Sequence, residues 1–416
     1  MKVRKLVYVV CMSMLGLLGM ACNGAPVKTG CLSLSDCDKD EQCVAGTCRN
    51  TTTESKEPYF VVIGEHKNKQ QITVYGFQLL QAGEVKVLGL QTFLVGDVKK
   101  NGRILVTQEN EFLYVVKSPN GSDKRTVERY NFAKGESKPT HTLSLPDKLQ
   151  PTVIRVHKGK LYVGASDGTI EWVDFSSSQP KVQQLFKSSE KFRKEIDDFA
   201  INSNLLVAVD NVIVPKFAFV FSLDANGQPG YKFTGSLPES VNESFREATA
   251  DETHLFIRSE YGHRGGSGNR LHAIKIDESK LTAEAELTEF VPRDGNPVTS
   301  PPTLLAGNGY TSWKGLEWLE GAVLVGAGSR GILQVPRPFT KSSTAKQLNV
   351  GGECRGLWKV DNDSQKKTVY VLVAKSGSTT TALFGVSWDK EQKEVVKGKL
   401  YSLPIDSSQQ DVSFPW

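Results

Sequence analysis

Beyond its first eighteen residues the sequence has no apolar run long enough to cross a membrane as a helix. It also lacks any long stretch of 3.6-residue amphipathic periodicity, which excludes a helical bundle and a regular alternation of strands and helices. Charge of one sign is missing too. The 51 basic and 46 acidic residues give +5, and three of the basic ones, Lys2, Arg4 and Lys5, fall in a leader-like start, leaving 48 against 46. So small an excess gives no electrostatic reason to bind nucleic acid. Past Cys48 the chain has a single cysteine, Cys354, and its six histidines are dispersed. What remains is ordinary globular material, 416 residues that are 39% hydrophobic, enough for a large core.

The first residues, Met-Lys-Val-Arg-Lys, precede an apolar run from Leu6 to Leu18 and then small residues at Gly19 and Ala21. A charged start, an apolar middle and a small-residue cleavage site predict a secretory signal over residues 1–21. Cys22 resembles the lipidated cysteine of bacterial lipoproteins, before which signal peptidase II cuts. The resemblance implies acylation (palmitate) of Cys22 and a membrane partner through that anchor. Gly19 stands where those signals usually have leucine, and Gly19-Met20-Ala21 also fits ordinary signal-peptidase cleavage, which would leave a periplasmic or secreted protein. Asn23 is not the aspartate that marks inner-membrane retention in enterobacterial lipoproteins, so the expected address is the outer membrane or the cell surface.

Cys31, Cys37, Cys43 and Cys48 lie within eighteen residues rich in Ser, Asp and Gly. That composition builds no core, and in an exported chain two disulfides would supply the order. A zinc site is disfavoured because the module has neither a C-x2-C pair nor a histidine. Asp36, Asp38, Asp40 and Glu41 lack the order of a calcium loop. The spacing resembles the short Dickkopf-like segments behind the anchor of delta-proteobacterial surface lipoproteins. Residues 49 to 57, without an aliphatic side chain, read as a linker, so residues 22–57 form tether, module (31–48) and linker.

From residue 58 a hairpin signal recurs. Apolar runs at Phe60–Ile63, Ile104–Val106, Leu161–Val163, Leu205–Val207, Leu255–Ile257, Val323–Val325 and Val369–Val371 are each followed by a turn and a second β-prone run. Seven units near fifty residues apart predict an all-β fold over residues 58–416, a seven-bladed β-propeller preceded by a small disulfide-rich module. A pair of β-sandwiches is the alternative architecture. In the clearest unit, Tyr162, Val163, Gly164, Asp167 and Gly168 resemble the repeat of quinoprotein-type propellers. The docking tryptophans and adjacent cysteine pair of that group are absent, so no cofactor is implied. The resemblance is nearer to the group's non-catalytic member, the propeller lipoprotein of the outer-membrane β-barrel assembly machinery, and implies a scaffold.

Two glycine motifs imitate chemistry. Gly164–Gly168 satisfies G-x-S-x-G, and Gly326–Gly331 satisfies G-x-G-x-x-G, but each is followed by a β-prone run where a nucleophile elbow or a dinucleotide site requires a helix. They read as turns. His254, His263 and His272 are nine residues apart, and no metal site is assigned to them. Cys354 reads as a buried thiol. If Cys22 is not acylated, a bridge between Cys22 and Cys354 becomes conceivable. The innermost strands offer Arg155, Asp197, Glu247, Glu317 and Lys359, too unlike one another for a catalytic ring, and no catalytic residue is assigned.

A ligand is expected where loops are enlarged. Residues 261–270 read as an overlong glycine-rich tip, and the connection from about 290 to 313 is long and proline-rich. Tyr261, His263, Arg264, Arg270, Tyr310 and Trp313 are the candidate contacts, aromatic and arginine side chains being common interface anchors. The function expected is an exported, lipid-anchored binding or scaffold protein of the cell envelope with a protein or glycan partner. The alternative is a propeller hydrolase or lyase acting at the central channel.

Overall fold

The computed structural model describes residues 41–44, 47–50, 59–66, 71–80, 84–94, 104–117, 124–134, 138–188, 195–210, 216–237, 244–263, 266–288, 315–328, 331–339, 345–360, 368–374, 380–406 and 410–414. The chain divides into two units, residues 1–56 and 57–416. In the first, Glu41–Val44 and Thr47–Asn50 form an antiparallel hairpin with Cys43 opposite Cys48. Cys22, Cys31 and Cys37, and the leader, lie outside the described residues.

The second unit is a seven-bladed propeller made of seven four-stranded antiparallel sheets, each ordered sequentially from the innermost strand outward. Blades 2 to 7 run in order over residues 105–144, 151–187, 196–236, 244–288, 316–348 and 353–406. Blade 1 takes three strands from the start of the unit, and its innermost strand, Gln410–Ser413, arrives from the other end of the chain to pair with Tyr59–His66. Two ends of one chain closing one sheet shut the ring with backbone hydrogen bonds.

Burial explains why no blade stands alone. The seven apolar cores among the described residues each lie between two neighbouring blades. Strand alternation divides each blade between two cores: Leu161 and Val163 face blade 2, while Tyr162 between them faces blade 4. Because both sheet faces are covered, the second strands read as continuous apolar runs; Lys160–Ala165 and Leu205–Asp210 are buried at every position. One expected strand changes place. Ile104–Val106 belongs to the start of the innermost strand of blade 2, Leu105–Glu109, and the second strand is Phe112–Lys117. Both strands are apolar and buried, so hydropathy alone does not rank them.

The order of the strands puts the turns between first and second strands, and between third and fourth, on one face, here the lower. Side chains tie that face together around five successive junctions. Glu109 of blade 2 accepts the amides of Lys158 and Gly159 in blade 3, the latter at 2.6 Å. Tyr162 Oη donates to Gly227 O of blade 4 at 2.6 Å, and Lys158 Nζ to Ala225 O at 3.2 Å. Asn202 of blade 4 donates to the Asp251 carbonyl of blade 5, whose carboxylate receives Arg337 of blade 6. Lys390 of blade 7 reaches Glu320 of blade 6 at 2.9 Å.

Candidate functional site

The innermost strands begin at the opposite, upper rim of the channel, and four of them begin with a register break. The residues that the ladder skips are Thr152, Asp197, Arg246 and Arg355 in blades 3, 4, 5 and 7. A bulge adds one residue to its strand and re-aims the side chains around it. In blade 4 the break falls at two successive carboxylates, Asp197 and Asp198.

These charges join blade to blade. Arg155 Nη2 of blade 3 lies 2.7 Å from Asp198 Oδ1 of blade 4. Asp198 also accepts its neighbour's amide, Phe199 N, at 2.8 Å, and Ala248 N of blade 5 at 2.9 Å. Glu247 of blade 5 receives Arg258 Nε at 3.1 Å and Gly315 N, at the entry to blade 6, at 2.9 Å. In blade 7, Arg355 lies 2.9 Å from Glu353. Burial raises the Asp198 carboxyl above its ordinary range in spite of Arg155 and the two amides. Unpairing such a group would leave a charge stranded in the interior.

Asp197 differs. Its Oδ2 is buried without a hydrogen-bond partner among the described residues. Burial, and then the charges of Glu195, Asp210 and Asp198, push its carboxyl up to about 7, against partial compensation by Lys216. The group therefore exchanges its proton near neutrality, which suits a general acid or base. Among the described residues no three His, Cys, Asp or Glu side chains are arranged to hold a metal ion.

Sequence reasoning singled out Asp197 but missed Asp198, the one engaged on both sides. The doublet Asp197-Asp198 inside the buried strand Ile196–Ile201 was the available signal, because two successive carboxylates cannot both face outward in a two-residue period.

The glycine motifs take the places expected of turns. Ala165 O receives Gly168 N at 3.1 Å, Gly168 has φ +77°, and the strand Thr169–Asp174 follows. Gly164 is required by packing, since a Cβ there would lie 2.5 Å from Ile196 of blade 4. Gly328 and Gly331 turn with positive φ before the strand Ile332–Pro336.

The expected tip of blade 5 is corrected. Residues 261–263 and 266–270 continue the ladder of His254–His263 with Gly266–Ile276, pairing as far as His263 opposite Gly266. Backbone pairing does not need side chains, and glycines opposite Tyr261 and His263 do not interrupt it. In this ladder Tyr261 pairs with Gly268, His263 with Gly266 and Arg270 with Ser259. Arg264, Tyr310 and Trp313 lie outside the described residues.

His263 pairs with Gly266 at the end of the ladder, His272 pairs with Ile257 and is buried, and His254 sits at the lower turn 3.5 Å from Asp251. Cys354 is buried in the innermost strand of blade 7, its Sγ 3.8 Å from Gly356 O, and burial pushes the thiol up to about 12. It is a free cysteine.

No family model and no curated protein matches the chain. Solved structures do. A protein from Lactobacillus plantarum superposes with TM-score 0.51 at 14% identity, over 86% of this chain and 99% of that one. A putative 6-phosphogluconolactonase from Bacteroides fragilis superposes with TM-score 0.52 at 12% identity, over 87% of this chain and 99% of that one. At such identities the likeness is one of fold alone, and the fold shared is the β-propeller.

Proposed function

We propose that the protein is a non-catalytic binding or scaffold protein of the bacterial cell envelope, exported, held to the outer membrane or cell surface by an acylated Cys22, and presenting a propeller surface to a protein or glycan. The observation that carries the binding role is the use made of the rim charges. Asp198 and Glu247, two carboxylates of the innermost strands, are engaged in holding blades 3 to 6 together. Structural use of these groups leaves the surface for recognition, as a scaffold requires. The charged, apolar and small-residue order of residues 1–21 supports export.

Crosslinking in native membranes followed by affinity capture tests the reading. The wild-type chain should recover an envelope partner, and Cys22→Ser should move the protein to the soluble fraction. A variant that stays with the membranes would remove the anchor, and the absence of any crosslinked partner would remove the scaffold role.

One observation favours a second reading, that of a hydrolase or lyase acting at the channel mouth: the proton held by Asp197 near neutral pH. A screen of lactones, esters and uronic-acid glycans, with Asp197→Asn as control, tests it. Turnover that Asp197→Asn abolishes, with a pH profile breaking near 7, would establish it.

A further inference from the structure

The outermost strands hold an aromatic surface that neither the fold nor the channel requires. Tyr231, on the outermost strand of blade 4 (Pro229–Ser236), is 54% exposed and is the only aromatic among the exposed large hydrophobic side chains of the described residues. Phe186, half-buried on the outermost strand of blade 3 (Val182–Lys187), lies beside it, with ring centroids 5.8 Å apart and planes 14° from parallel. The fully buried ring of Phe221 stands beneath both, at 78° to Phe186 and 68° to Tyr231. The two rings are stacked, one partly over the other, and both meet the ring of Phe221 edge-on, so the tyrosine is held as an apolar step at the surface. Its cause is a bulge: Val220 and Phe221 pair with Phe233 and Tyr231, leaving Lys232 unpaired and Tyr231 outside. The tyrosine hydroxyl is set by Thr234 Oγ1 at 3.0 Å.

A polar depression of about 370 Å³ lies on blade 3, lined by Asp174, Ser177, Gln179, Lys181 and Gln183 among others. Gln183 pairs with Trp172 and Phe186 with Ile170, and both Trp172 and Ile170 belong to the core between blades 3 and 4. Gln183 and Phe186 therefore share one face of blade 3. Three residues of strand separate them, about 10 Å.

We propose that the flank of blades 3 and 4 binds a neutral oligosaccharide, one sugar ring stacking on the exposed ring of Tyr231, beside Phe186, and a ring further along the chain reaching the hydroxyl, amide and carboxylate groups of the depression. The C–H face of a pyranose is apolar and slightly positive, complementary to the negative face of an aromatic ring. Its hydroxyls, both donors and acceptors, match the mixture of Ser, Gln, Asp and Lys. Size argues against a protein. A half-exposed tyrosine offers about 100 Å², far below the roughly 800 Å² per partner of a stable protein interface. The site rests on the reading of the protein as a binding protein and narrows its partner to a glycan.

Titration of the full chain with cellotetraose, maltotetraose and chitotetraose, followed by saturation-transfer NMR and calorimetry, tests the assignment. At least one sugar should bind, with signals strongest on ring C–H protons. Tyr231→Ala should weaken it by about tenfold or more, Tyr231→Phe by less than about threefold, and Gln183→Ala by an intermediate factor. Circular dichroism should show all three folded, with melting unchanged in Tyr231→Phe and Gln183→Ala and slightly lowered in Tyr231→Ala, which uncovers Phe221. Failure of all three sugars to bind overturns the inference, as does binding undiminished in Tyr231→Ala. So does self-association of the wild-type chain that Tyr231→Ala abolishes, which would make this flank a contact between copies. Should crosslinked capture of an envelope protein persist when the sugars fail, the scaffold reading stands and only the glycan site falls.

Discussion

Asp251 at the lower face and Asp197 at the upper rim are aspartates at the two ends of the innermost strands of adjacent blades, and opposite in physical state. Asp251 receives the amides of Thr253 and His254 at 2.7 Å each, lies within 3.5 Å of the His254 ring and pairs with Arg337, which itself lies over Trp318 with 4.7 Å from guanidinium carbon to ring centre. Burial alone would raise its carboxyl, but these partners outweigh burial and hold it well below the usual range. Asp197 has the burial without the partners, and its carboxyl goes up. The lower face is thus built for cohesion, with five successive junctions tied by side chains, while the rim keeps a group whose charge is only partly compensated.

Removing the better-satisfied group should cost more. Asp251→Ala breaks a charged pair and strips two amides of their acceptor, and should destabilise the fold by about 3 kcal/mol in denaturant unfolding. Arg337→Ala should cost less, since that side chain is 45% exposed. A loss for Asp251→Ala below that of an ordinary surface change would break the comparison. In the wild type the lowered carboxyl contributes stability that is complete above its unfolded value of 3.8 and is lost as pH falls below it.

Asp197→Asn should act in the other direction. The folded carboxyl titrates near 7 and the unfolded one near 3.8, so ionisation penalises the native state progressively as pH rises from about 4 to 7 and fully above it. The neutral amide should stabilise by about 1–2 kcal/mol at pH 8, after allowance for partial solvent access, and by nothing at pH 4. Melting curves at the two pH values decide this; equal shifts at both would mean that Asp197 does not titrate in the native state.

Smaller effects are expected where neither face is touched. Replacing residues 260–269 by Asn-Gly keeps Ser259 opposite Arg270 and should change stability by no more than about 0.5 kcal/mol, because a two-residue turn closes the same ladder. Capture of a partner through Tyr261, His263 and Arg264 should fall in the same variant. Reduction of the disulfides expected among Cys31, Cys37, Cys43 and Cys48 should leave the main melting transition in place, the propeller being held by apolar burial and ladder hydrogen bonds.

Much of the architecture was legible because each blade repeats one local pattern. An apolar run, a turn and a second β-prone run depend on neighbours a few residues away, and their recurrence foretold seven units and their order. The glycine motifs were legible as turns for the same reason. Register was not. The bulge beside Asp197 changes which of two adjacent carboxylates faces blade 5, and glycines that suggested a loose tip at residues 261–270 lie within a paired ladder. Nor could the sequence bring together Phe186 and Tyr231, forty-five positions apart in the chain, or join Gln410–Ser413 to Tyr59–His66. The chain by itself determined how many sheets there are, since strand and turn propensities act locally. Only the packing of blade against blade decided which charges are neutralised, which aspartate keeps its proton and where aromatic rings reach the surface, because each depends on residues distant in sequence and on bulges that reset a period of two.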